Sequence, residues 1–164
     1  MAYPAILGRR LDWPTINLGF SGSALSEPEI AALLAELDPA VYVLDALPNM
    51  TAEMVAQRIE PFVLTLRKAH PLTPIVLVES ATYPNVRFLA ARREQVREAN
   101  AKLRAAFDRL RHAGQKRIYY LHGDKLFGDD DEATVDGVHP TDLGFLRMSN
   151  EMEPLLKRAL RASR

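Results

Sequence analysis

The stretch "AVYVLDALPNMTAEMVAQRIEPFVLTLRKAHPLTPIVLVES", residues 40 to 80, decides how the chain folds. Its two ends, 40–46 and 73–80, are short apolar runs rich in Val, Ile and Leu, which read as buried strands. Between them, 51–70 reads as a helix with Thr51 as its N-cap, and Pro61 is expected to kink or divide it. Strand, helix and strand in this order make a crossover, so the two strands lie parallel and need helices over both faces.

The same alternation continues outward. "RIYYLHG" (117–123) reads as a further strand downstream and "PTINLGF" (14–20) as one upstream. Helices are predicted over 27–37, with Ser26 as cap and Glu29 three residues on, and from about Val86 to His112, ending at Gly114. In the latter, Phe88, Leu89, Val96, Leu103, Phe107 and Leu110 fall on an inward repeat. A last helix is predicted from about Thr141 to Ala162. The expected fold class is α/β, a three-layer α/β/α sandwich on a parallel sheet, in one domain over 1–164. The opening segment "MAYPAILGRRL" does not fit: it is an amphipathic helix that no strand precedes, so a strand is expected upstream of Met1.

The 164 residues are 48% hydrophobic and 26% charged, with 21 Lys plus Arg against 21 Asp plus Glu. A zero formal charge provides no global field for nucleic acid or anionic lipid, so a small uncharged substrate or a protein partner is expected. There is no cysteine, which excludes disulfides, thiolate metal sites and Cys nucleophiles. No apolar run approaches the roughly 20 residues of a membrane span, and no signal-peptide pattern opens the chain. As given, it is expected to stay in the cytoplasm.

Ligands of open parallel sheets bind outside the carboxyl ends of the strands. Near that rim, "TVDGVHPTDLGF" (134–145) sets Asp136 three residues before His139. An imidazole titrates near neutrality, and a carboxylate on its other nitrogen fixes the tautomer, so the pair suits a general base and its orienting acid. Pro140 would hold His139 on extended backbone. The alternative is that Asp136 caps a turn and His139 packs on the surface. "NLGFSG" (17–22) reads as a strand entering a glycine turn with free N–H groups, suited to an oxyanion or merely to joining strand and helix. Asn49 in "LPNM" either offers an amide to the same rim or ends a loop.

Other candidates are weaker. His122 with Asp124 reads as a loop pair, and "GDDDE" (128–132) as a solvated loop that lacks the spacing of a calcium site. His70 and His112 lie away from the presumed rim.

Together, "NLGFSG", "LPNM" and "DGVHPTDLGF" resemble the later blocks of the SGNH hydrolases, the GDSL-type esterases and acylhydrolases. The resemblance implies a flavodoxin-like parallel sheet and ester hydrolysis or deacetylation with no cofactor and no metal. It makes His139 the base, Asp136 its orienting acid, and the Gly22 N–H and Asn49 side chain the oxyanion donors. "LPNM" departs from the commoner G-x-N-D form and is similar to a carbohydrate-esterase-like branch, so acylated sugar is the substrate suggested. The family's nucleophilic serine belongs to a block upstream of a helix like "AYPAILGRRL", hence upstream of Met1. Ser21 is the tempting substitute within the chain, but its match places it beside the oxyanion glycine; Ser80, Ser23 and Ser26 fit less well.

Two further readings stand: a non-catalytic remnant that binds an acyl or sugar ligand, and a nucleotide-binding flavodoxin-like domain, which the missing phosphate loop disfavours. Loss of a central strand would leave inner edges unpaired, so the chain alone is expected to be catalytically weak and either aggregation-prone or rescued as a strand-swapped homo-oligomer.

Overall fold

Three strands, Tyr42–Leu44 (β1), Ile75–Val78 (β2) and Ile118–Leu121 (β3), pair in parallel in the order β1-β2-β3, with Leu44 opposite Leu77 and Leu77 opposite Tyr120. This computed structural model describes residues 1–161. Five helices surround the sheet: Tyr3–Leu11 (α1), Pro28–Leu34 (α2), Ala52–Ala69 (α3), Ala90–His112 (α4) and Asp142–Arg161 (α5). The expected end of α5 at Ala162 lies outside the described residues.

Side-chain alternation along β2 divides the core. Ile75 and Leu77 face a cluster with Val55, Ile59 and Leu66 of α3 and Leu103, Ala106 and Leu110 of α4. Val76 and Val78 face the other, with Leu7 of α1 and Met148, Met152 and Leu156 of α5. All four β2 side chains are buried, as a strand covered on both faces requires. The molecule is therefore the three-layer α/β/α sandwich expected.

Four local expectations fail, each for a physical reason. Residues 14–20 form no strand. Gly19, Phe20 and Gly22 have φ of 71°, 53° and 70°, and Ile16 and Leu18 are 70% and 46% exposed, so this segment pairs with nothing and β1 is left at the sheet edge. Pro61 does not divide α3, which runs through it; its ring is on the exposed face, so only one ladder bond is lost. Ser26 does not cap α2: its φ is 53°, its hydroxyl contacts the Met50 sulfur at 3.5 Å, and Glu27 holds the N-cap position without a side-chain bond. Phe88 and Leu89 are 88% and 52% exposed, because a 3₁₀ turn at Pro84–Arg87 precedes α4 and rotates them out of its repeat. Thr51 does cap α3, accepting the Met54 N–H at 3.2 Å.

Two close approaches set the rim. A Cβ on Gly123 would lie 2.0 Å from the Ser80 carbonyl oxygen, so only glycine lets the chain leaving β3 pass the end of β2. Ser80 is clamped in turn by Asn100 of α4, whose side chain accepts the Ser80 N–H at 2.9 Å and donates to its carbonyl at 3.1 Å.

Candidate active site

The loop from 133 to 141 closes on itself. Thr134 and Pro140 form an antiparallel bridge, the Val135 N–H donates to His139 O at 2.9 Å, and the Thr141 N–H donates to Ala133 O at 2.8 Å. Gly137 turns the tip with a φ of 86°. There the Asn85 N–H reaches the Gly137 carbonyl at 3.5 Å, which attaches the loop to the segment that follows β2. Thr141 also accepts the Gly144 N–H at 3.1 Å and so starts α5.

Inside this loop Asp136 is saturated with donors. It accepts the His139 N–H at 2.7 Å, the Val138 N–H at 2.9 Å and His139 Nδ1 at 2.7 Å. The backbone N–H of His139, then its imidazole, then the Val138 N–H hold the carboxyl down at about 2, so it is an anion at any physiological pH. A neutral imidazole that donates from Nδ1 to Asp136 has its lone pair on Nε2, and the His139 side chain is 76% exposed. Among the described residues, no serine hydroxyl hydrogen-bonds His139.

Asn49 ends a 3₁₀ turn, Leu47–Asn49, directly after β1. It is exposed on the same carboxyl-end rim. Gly22 is exposed in a turn, and nothing lies within 4 Å of where its Cβ would be. Its segment is anchored near Met50 by the Ser26 contact and near α3 by Arg58, which donates to Leu25 O at 2.9 Å. No hydrogen bond among the described residues joins Gly22 to Asn49 or to His139. The structure thus brings Asp136 and His139 into contact, sets Asn49 in the turn after the carboxyl end of β1, and leaves Gly22 on an unpaired segment.

The remaining candidates have other partners. His122 lies 3.6 Å from Glu79, not beside Asp124; Glu79 also accepts Tyr120 Oη at 2.5 Å and the Gly123 N–H at 2.8 Å. The 128–132 run is more than a solvated loop, since Asp130 holds Arg147 at 2.5 Å and Asp131 holds Arg87 at 2.5 Å. His70 bonds Ala35 O at 2.9 Å and His112 bonds Asp108 O at 2.7 Å. Ser21 is exposed in the Gly22 turn, whereas Ser80 is only 3% exposed.

Residues 1–157 match the GDSL-like lipase/acylhydrolase family. The chain belongs to that family. Its fold is shared with a protein of Bacteroides ovatus taken to be a GDSL-like lipase, at 37% identity and a TM-score of 0.93 over 97% of this chain and 47% of that one. It is also shared with the salicylyl-acyltransferase SsfX3 of a tetracycline biosynthetic pathway, at 22% identity and 0.79, over 97% of this chain and 50% of that one. A carbohydrate esterase family 3 protein from Talaromyces cellulolyticus has the same fold at 12% identity and 0.69, over 98% of this chain and 92% of that one. No curated protein matches the chain. This acylhydrolase-family chain spans about half the length of the first two structures. Among its described residues, no helix is long and apolar enough to cross a membrane.

One group of the family member escaped notice in the sequence. Asp45 follows β1 directly and takes the Tyr3 hydroxyl at 2.9 Å; burial pushes its carboxyl up to about 6 against that bond. The signal was present as an acid closing an apolar run, but its partner is 42 residues away.

Proposed function

We propose that this chain carries the acid–base and oxyanion half of a serine esterase or acylhydrolase. The observation that supports the reading is the Asp136 to His139 Nδ1 bond of 2.7 Å, which leaves Nε2 free on the rim. In this reading a serine arrives on a strand laid along the free edge of β1. Its Oγ attacks the acyl carbon while His139 Nε2 takes the proton. The Gly22 N–H and the Asn49 amide hold the tetrahedral oxyanion, the alcohol leaves with the proton, and water attacks the acyl-enzyme with His139 again as base. The reaction calls on no metal and no cofactor. The substrate class to test first is a short acyl ester, including acylated carbohydrate, in keeping with the carbohydrate esterase that shares the fold.

The experiment joins a serine-bearing strand ahead of Tyr3 and follows labelling with a fluorophosphonate, mapping of the labelled residue, and hydrolysis of an aryl acetate. Labelling that depends on His139 supports the reading, and the mapped residue identifies the nucleophile. His139→Ala that retains full turnover overturns it. A second reading is favoured by the lack, among the described residues, of a serine hydroxyl bonded to His139: the rim binds an acyl or sugar ligand without turning it over. In that case the ligand binds and no residue is labelled.

A further inference from the structure

The acyl-transfer steps leave Asp45 without a role. Along β1, Tyr42 and Leu44 belong to the α3 and α4 cluster, whereas Val41 and Val43 pack with Tyr3 and Leu7 on the α1 and α5 side. By the period of two, Asp45 falls on that second side. It is half-buried and accepts the Tyr3 hydroxyl at 2.9 Å. Burial acts on its carboxyl, opposed by that bond, with no cation beside it among the described residues. A desolvated acid without a counter-ion costs stability, and such a cost is characteristic of sites that do chemistry.

The bond joins two segments of the candidate site. Asp45 leads into the turn Leu47–Asn49, which is closed by the Asn49 N–H to Ala46 O at 3.1 Å and the Met50 N–H to Leu47 O at 3.0 Å, with Leu47 and Met50 both buried. Asn49 is thus fixed relative to Asp45. Tyr3 begins α1, and that end has no side-chain cap and no acid in its first turn. Farther along, the buried Leu7 and Arg10, which donates to Asn150 and Glu153 at 2.9 and 3.1 Å, hold α1 on α5. Placement of the first turn therefore falls to the Tyr3 hydroxyl. Just ahead of it Met1 lies against Asp142, three residues after His139, so the start of α1 stands between the Asn49 turn and the His139 loop.

Resting on the esterase reading above, in which the serine arrives on a strand ahead of Tyr3, we infer that Asp45 is the positioning residue of the nucleophile. Through the Tyr3 hydroxyl it holds the start of α1, and with it the serine, in register with the Asn49 amide. The acyl carbon bonded to Oγ carries the oxyanion that Asn49 receives, so a displacement of about 1 Å between the two segments costs on the order of a hundredfold in rate. Binding of the ester in its ground state depends far less on that register, so the loss falls on kcat.

The test uses the chain with the serine-bearing strand joined ahead of Tyr3 and follows hydrolysis of an aryl acetate. Tyr3→Phe, which deletes only the hydroxyl, and Asp45→Ala are each expected to lower kcat by roughly 10- to 100-fold with KM little changed. The double variant should be no slower than the slower single one, since both remove the same bond. Asp45→Asn, which still accepts from Tyr3, should recover most of the turnover. In the chain without the added strand, Tyr3→Phe is expected to shift the ¹⁵N resonances of Ala2, Ala46 and Asn49. Full kcat in Tyr3→Phe, losses that multiply in the double variant, a loss confined to KM, or unmoved Ala46 and Asn49 resonances would each overturn the assignment. Failure of the esterase reading shows differently, as no fluorophosphonate labelling of the unaltered strand-bearing chain, and withdraws the assignment with it. Labelling and turnover that Tyr3→Phe leaves unchanged remove the role of Asp45 alone.

Discussion

His139 and Asn49 each make a claim that a single substitution can check. His139→Ala is expected to lower turnover by roughly 10²–10⁴-fold or more, and Asn49→Ala by roughly 10²–10³-fold with little change in KM, both read from steady-state hydrolysis of an aryl ester. Asp45 makes a claim about pH. Its folded-state carboxyl is raised from 3.8 to about 6, so the native state favours the neutral form. Below pH 4 the group is neutral folded and unfolded, and stability is unaffected by it. As pH rises towards 6 the unfolded chain ionises first, so stability falls and then levels off above the folded value. Asp45→Asn, which still offers Tyr3 an acceptor, should flatten that slope and raise the urea midpoint near neutral pH. At this scale the Asp136 to His139 pair was legible in sequence because the partners lie within one turn of loop. The Glu79 to His122 and Tyr3 to Asp45 pairs were not, because distant segments supply them.

Among the elements, α3 depends on one buried cation. Arg67 is 9% exposed and donates to the carbonyls of His70, Pro71 and Thr73 and, across the molecule, of Lys116. These bonds tie the end of α3 to the starts of β2 and β3. Arg67→Ala removes these four bonds and the packing of a buried side chain and is expected to cost roughly 2–4 kcal/mol, measured by urea unfolding, with the arrangement of the 133–141 loop unchanged by NMR. Helix existence was legible from periodicity, but helix ends were decided by contacts. Ser26 has the composition of a cap, yet it turns its hydroxyl to Met50. Phe88 has the spacing of a core residue, yet Pro84 begins a separate 3₁₀ turn that places it in solvent. Pro61 has the chemistry of a breaker, yet its ring faces outward and α3 continues.

For the whole molecule, the open question is posed by the outer edge of β1. Ile16, Leu18 and Phe20 are 70%, 46% and 38% exposed on the segment that was read as a strand, and Trp13 just before it is 38% exposed. Backbone groups along an unpaired edge and apolar side chains in the open together favour association. The chain is expected to self-associate in a concentration-dependent way by sedimentation. Ile16→Lys should weaken that association while changing stability by no more than about 0.5 kcal/mol; an unchanged association would remove this segment from the interface. By itself the sequence determined the layer order and the β1, α3, β2 crossover, because apolar period and capping chemistry are local properties that survive without neighbours. It also determined the Asp136 and His139 pair, for the same reason. Tertiary structure alone decided that residues 14–20 stay out of the sheet, since a strand exists only by pairing with another. It alone decided, too, that Asp45 meets the Tyr3 hydroxyl, since that bond joins segments 42 residues apart.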